Sequence, residues 1–157
     1  MATGYQSIAT RDGYTVMLTV TPGEVGLNKD VCIDITWIND SNGPHSAWIS
    51  ANIERADLSG VEKWLVPLDT PHTFAGNGDE YKQSFKFTCL RLEQFNAFAD
   101  IAKEGPLFAW ERVPFYGVEG GEGCSGGGLE LDPLVIAGIV AVVLVGGALI
   151  YASTRRK

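Results

Sequence analysis

Residues 31–40 read VCIDITWIND, and their alternation decides the fold. Val31, Ile33, Ile35 and Trp37 fall on one side of an extended chain, with Cys32, Asp34 and Thr36 on the other. That period of two marks a half-buried strand. The run ends in the turn-forming cluster Asn39-Asp40-Ser41-Asn42-Gly43-Pro44. Upstream, Tyr14, Val16, Leu18 and Val20 alternate with Thr15, Met17 and Thr19 until Thr21-Pro22-Gly23 breaks the pattern. Downstream, Ala47, Ile49, Ala51 and Ile53 alternate with Trp48, Ser50, Asn52 and Glu54. Further strands are expected over 62–68, over 81–89 with Tyr81, Phe85 and Phe87 inward, and over 107–113. The stretch 90–103 lacks the period and fits either a short helix or an irregular strand. Six or seven short strands separated by Gly, Pro and Asn clusters predict an all-β fold of two packed sheets.

The composition averages two unlike parts. Of 157 residues, 45% are hydrophobic and 20% charged, with a net charge of −7, and the mean hydropathy is a bland +0.05. Yet residues 134–152, LVIAGIVAVVLVGGALIYA, carry no charge. As a helix, this run is about 28 Å long, close to the ~30 Å hydrocarbon thickness of a bilayer. It presents Leu134, Val135, Ile136, Ile139, Val140, Val142, Val143, Leu144, Leu149 and Ile150 to lipid, with Tyr151 at the interface. All 19 acidic residues precede the run, and Arg155, Arg156 and Lys157 follow it. The chain is therefore expected to comprise a β-sandwich over 1–116, a Gly-rich juxtamembrane tether over 117–133, a single transmembrane helix over 134–152 and a basic tail over 153–157. A collagen-like chain, a disulfide-dense scaffold, a polytopic transporter and a basic nucleic-acid binder are excluded.

Sidedness is contested. The positive-inside tendency puts the Arg155–Lys157 tail in the cytoplasm and the sandwich outside. The first twenty residues show no signal peptide, which favours insertion after synthesis with the sandwich in the cytoplasm. A virion with an internal membrane, assembled in the cytoplasm, reconciles the two.

Two runs carry a family resemblance. TPGEVGLNKDVCIDITWIND, residues 21–40, resembles the opening of immunoglobulin-like adhesion modules of the CARDB kind, with a P-x-x-V strand, an N/G-D-x-V turn and a long alternating strand. FAGNGDEYKQSFKFT, residues 74–88, is similar to their return strand. The resemblance covers residues 14–116. It implies an immunoglobulin-like antiparallel sandwich and a role in binding, adhesion or scaffolding, with no catalytic residues to carry over.

Chemistry-bearing residues are sparse. Cys32 and Cys89 invite comparison with an intersheet disulfide. Their phases oppose it, because Cys32 shares a face with Asp34 and Thr36, whereas Cys89 follows Phe85 and Phe87. Free thiols are the expectation, including an idle, accessible Cys124 in the tether. Residues 121–126 match G-x-G-x-x-G, but no helix with a later ribose-binding acid follows. His45 and His72 stand alone beside prolines. Glu54, Asp57, Glu62 and Asp69 read as solvated charges, Asp79-Glu80 beside Asn77 lacks calcium-loop spacing, and Asn39-Asp40-Ser41 is a glycosylation sequon.

The expected function is therefore structural and non-enzymatic. The sandwich links a protein shell to a lipid bilayer, with a viral membrane favoured over a cell membrane. The alternatives are a prokaryotic cell-surface adhesion or surface-layer module and an accessory subunit of a membrane enzyme. The expected partners are the bilayer and other protein subunits, either shell proteins or copies of this chain. No cofactor, metal, small-molecule substrate or specific nucleic acid is expected. Contacts are placed at Trp48, which breaks the polar face of its strand, and at Phe108, Trp110, Phe115 and Tyr116.

Overall fold

The computed structural model describes residues 4–102 and 107–125, with the backbone alone at 107 and 108. The side chain of Phe108, the uncharged run 134–152 and the Arg155–Lys157 tail lie outside the described residues. Among the described residues, no helix is long and apolar enough to cross a membrane.

The described chain forms strands β1 (Tyr5–Arg11), β2 (Tyr14–Thr21), β3 (Glu24–Gly26), β4 (Asp30–Asn39), β5 (His45–Arg55), β6 (Val61–Phe74), β7 (Asp79–Thr88), β8 (Gln94–Ala102) and β9 (Leu107–Val118). One sheet has the order β1-β2-β4-β7 and the other β3-β9-β8-β5-β6. All pairs are antiparallel except the short β3–β9 pair. This is an all-β sandwich, and the expected inward faces are the observed ones. Val16, Leu18, Val20, Val31, Ile33, Ile35, Trp37, Ala47, Ile49, Ala51 and Ile53 are all buried.

The residues 90–103, left open between helix and strand, contain β8. It is a strand buried on both faces, between β5 and β9. Its outward positions include Asn96 and Asp100, which are also buried, so polarity does not mark its exposed side. β1 joins β2 through Asp12-Gly13, both at positive φ, the backbone that a two-residue hairpin turn demands.

Aromatic side chains bind the two sheets together. The Trp37 indole N–H crosses the core from β4 and donates to the Asp100 carbonyl of β8 at 2.7 Å. Trp37 stacks on Tyr81 of β7 at 5.8 Å, and Tyr81 stacks on His72 of β6 at 4.0 Å. A second group, Phe87, Phe95 and Phe115, packs with ring centroids 5.4–5.9 Å apart. Phe115, expected at a contact surface, is thus a core residue. Pairing with Phe95 turns it inward, while its neighbour Tyr116 points out.

Two further expectations are corrected. Cys32 is bonded to Cys124, and Cys89 is a buried thiol. The alternation rightly separated Cys32 from Cys89, but Cys124 is not idle. Nor do residues 117–125 hang free as a tether. β9 continues to Val118, the Gly26 N–H donates to the Glu122 carbonyl at 3.1 Å, and the Cys124 N–H donates to the Asp30 carbonyl at 2.7 Å. These bonds lay the segment against the entrance of β4, where the outward Cys32 meets Cys124.

Trp37→Phe removes the cross-core donor and leaves a buried carbonyl without it. It should cost about 1–3 kcal/mol in urea unfolding, and Trp37→Ala about 3–5 kcal/mol.

Candidate functional site

The outer face of the five-stranded sheet carries the unusual side chains. Register places Trp64 of β6, Asn52 of β5, Phe98 of β8 and Arg112 of β9 in one row across the sheet. The next row holds Ser50, Asp100 and Trp110, and Trp48 follows two residues along β5. Trp48, Trp64 and Trp110 are 40%, 45% and 47% exposed. Sheet spacings put them at the corners of a triangle about 12–16 Å on a side. Trp48 and Trp110 were expected contacts. Trp64 was not; its pairing opposite Asn52 fixes it to the same face, and the bulged strand carries no alternation that would have signalled it.

Between the tryptophans lies a buried polar floor. Ser50, Asn52 and Asp100 are each over nine-tenths buried, as is Asn96 in the row beyond Trp64. The Ser50 hydroxyl donates to the Asp100 carboxylate at 2.8 Å. Burial pushes the Asp100 carboxyl above its ordinary range, the Ser50 hydrogen bond opposes the shift, and the nearby Asp69 charge adds to it. Asp69 has a φ of 57° and lies in the bulge where Pro67–Asp69 of β6 face the single residue Ser50. The side-chain oxygen of Asn52 is the one buried side-chain polar atom without a partner among the described residues.

Trp110 is held in place rather than loosely displayed. It stacks on Phe98 at 6.1 Å, and the Arg112 guanidinium lies 5.6 Å from its ring centre and 5.2 Å from that of Phe98. Arg112 also binds Glu54 at 3.0 Å, so the two charges neutralise each other on the face. Beside this group, a cleft of about 310 Å³ opens between β1 and β9. It is lined by Tyr5, Ser7, Arg112 and Pro114, and by the expected contact residue Tyr116. Ser7 donates to Glu111 across the same edge.

The other candidates are accounted for structurally. Glu54 pairs with Arg112, and Glu62 pairs with Arg55 and Arg91. Asp57 accepts the Ser59 N–H, and Asp79 accepts the Ala75 N–H. His72 stacks on Tyr81 and meets Phe74 edge-on. Asn39 of the sequon is fully buried, with its amide oxygen accepting from Ser41 and its nitrogen donating to the Gly43 carbonyl. It caps a turn and is closed to a glycan. Among the described residues, no three His, Cys, Asp or Glu side chains are grouped to hold a metal ion. What the face offers is large aromatic area on a rigid sheet, with hydrogen-bonding groups between.

Because the Asp100 carboxyl holds its proton more tightly when folded, its ionisation weakens the fold as pH rises above 3.8, the ordinary carboxylate value. Asp100→Asn should therefore raise stability at pH 7, and thermal melts across pH should show that gain closing as pH falls below 3.8.

No family model matches the chain, and no curated protein does. Solved structures resemble it in fold. The crystal structure of the CARDB domain of a Pyrococcus furiosus protein, in complex with di-metal ions, is similar with 16% identity and a TM-score of 0.53. The match covers 71% of this chain and 95% of that domain. The solution structure of the same domain gives 14% identity and a TM-score of 0.52, covering 70% of this chain and 98% of that one. The described region thus has a CARDB-like, immunoglobulin-type sandwich fold.

Proposed function

We propose that this chain is a non-enzymatic, membrane-anchored module whose tryptophan face docks to another protein subunit, linking a protein layer to a lipid bilayer. The observation that carries this reading is the placement of Trp48, Trp64 and Trp110, all half-exposed, on one face of one sheet. Exposed tryptophan costs solubility in a free domain, and with arginine it is enriched among the residues that dominate protein interfaces. The neutralised Arg112–Glu54 pair adds polar matching without a strong field. The uncharged run 134–152 and the basic residues behind it support the anchor. The favoured setting is a membrane-containing virion in which the sandwich faces the shell.

A second reading, a prokaryotic cell-surface adhesion module, is favoured by the Cys32–Cys124 bond. Structural disulfides persist on the oxidising side of a membrane, the side to which the basic tail also assigns the sandwich. Protease treatment of intact cells separates the readings. Release of the sandwich from the cell surface supports the adhesion module. Protection in cells, with the chain recovered in purified particles, supports the shell link.

Trp48→Ala and Trp64→Ala should each weaken co-purification with the native partner about tenfold or more, while changing unfolding free energy by no more than about 1 kcal/mol. Full retention of the partner by the double variant would remove the docking face.

A further inference from the structure

The segment after β9 is seated on the sandwich by three independent features. It donates and accepts main-chain hydrogen bonds with Gly26 and Asp30, and Cys124 is bonded to Cys32. Gly26 and Gly121 also meet so closely that side chains are shut out. A Cβ at Gly26 would lie 2.1 Å from the Gly121 oxygen, and one at Gly121 would lie 2.6 Å from the Gly26 nitrogen. The place where it is fastened matters mechanically. Cys32 lies on β4, which is paired along its length with β2 on one edge and β7 on the other. The inward residues Val31, Ile33, Ile35 and Trp37 are no more than 1% exposed.

We propose that the Cys32–Cys124 bond is the mechanical junction of the domain, passing tension from the C-terminal side into β4 and sparing β9. The source of that tension rests on the membrane-anchored reading above. Without the bond, a pull on residue 125 meets only the main-chain hydrogen bonds of Cys124 and Glu122 before it reaches Val118, the end of β9. There Gly117 and Val118 are paired with Val25 and Gly26 of β3, one further bond runs from the Gly117 N–H to the Glu93 carbonyl, and the β8 ladder begins only at Gln94–Tyr116. Such a ladder opens from its end, one hydrogen bond at a time. With the bond, the pull enters β4 at Cys32, which is paired with Thr21 of β2 and Lys86 of β7, so ladders of eight and ten residue pairs and the core contacts of β4 resist it. β5 to β9, and with them all three face tryptophans, lie within the covalent loop closed by cysteines 92 positions apart. A partner held on that face can then pull against the anchor without unzipping the sheet that binds it.

Single-molecule pulling on the full chain tests this, with an azide-bearing residue in place of the exposed Leu68 as one handle and Lys157 as the other. With the bond intact, unfolding should extend the stretch between Leu68 and the junction by at most about 130 Å, the backward route to Cys32. The first rupture should need more force than after reduction. Reduction in the trap with a dithiol, which takes up the disulfide as the two protein thiols form, should raise the extension to about 200 Å. It should also make loss of β9 the first and weakest event, and Cys124→Ala should give the same trace without reductant. An unchanged first-rupture force after reduction overturns the junction, as does a free Cys124 thiol in non-reducing peptide maps of the oxidised protein. Flotation with phosphatidylglycerol-containing vesicles judges the anchor separately, so loss of one reading is not mistaken for loss of the other.

Discussion

The Trp37 indole, donating across the core to the Asp100 carbonyl, is the constraint on which the sandwich and its face both depend. Its ring belongs to β4, the strand whose alternation defines the first sheet. The carbonyl belongs to β8, flanked by β5 and β9 in the second. The bond sets the relative position of the sheets at the point where the outer face begins. On the far side of the same residue, the Asp100 carboxylate accepts from Ser50 in the floor between the tryptophans. Asp100 is therefore held through its backbone by the core and through its side chain by the face. A shift of one sheet against the other would be felt directly beneath Trp110, its cross-strand neighbour.

What could be read from the sequence follows from where water lies. β2, β4 and β5 show their phase because one side of each is apolar, and their buried residues are those the alternation selects. β8 hides its phase because its outward positions are buried too, and β3 is only three residues long. β1 has no buried residue to set a rhythm, yet Asp12-Gly13 before a strong strand is a hairpin signal and could have revealed it. At the face, Trp48 stood out because it broke a polar phase. Trp64 sits in a strand whose bulges blur the period. Phe115 misled because aromatic density was weighed without its phase. The partner of Cys32 was not legible: a glycine-rich run has no periodicity, and backbone hydrogen bonds place Cys124.

The face also runs against the stability of the domain. A carboxylate buried to 7% exposure disfavours folding at neutral pH, and an unpartnered amide oxygen at Asn52 adds a further desolvation cost. An alanine or valine at either position would suit an idle sheet face better. Polar groups retained at such cost beneath three exposed tryptophans fit a surface shaped for recognition, since features that oppose folding collect where function needs them.

On the membrane-anchored reading proposed above, the disulfide also changes the reach of the module. A tether beginning at residue 117 would let the sandwich range widely from a bilayer entered at Leu134. With Cys124 fastened to β4, the link on that reading would shorten to residues 125–133, a length of chain that spans at most about 30 Å when fully extended. That is comparable to the thickness of the bilayer itself. A link so short suits a module that holds a protein layer close against its membrane, and it suits poorly an adhesin that must search far from the surface. On the membrane-anchored reading, the bond that favours an oxidising exterior also favours a partner that lies in a shell apposed to the bilayer.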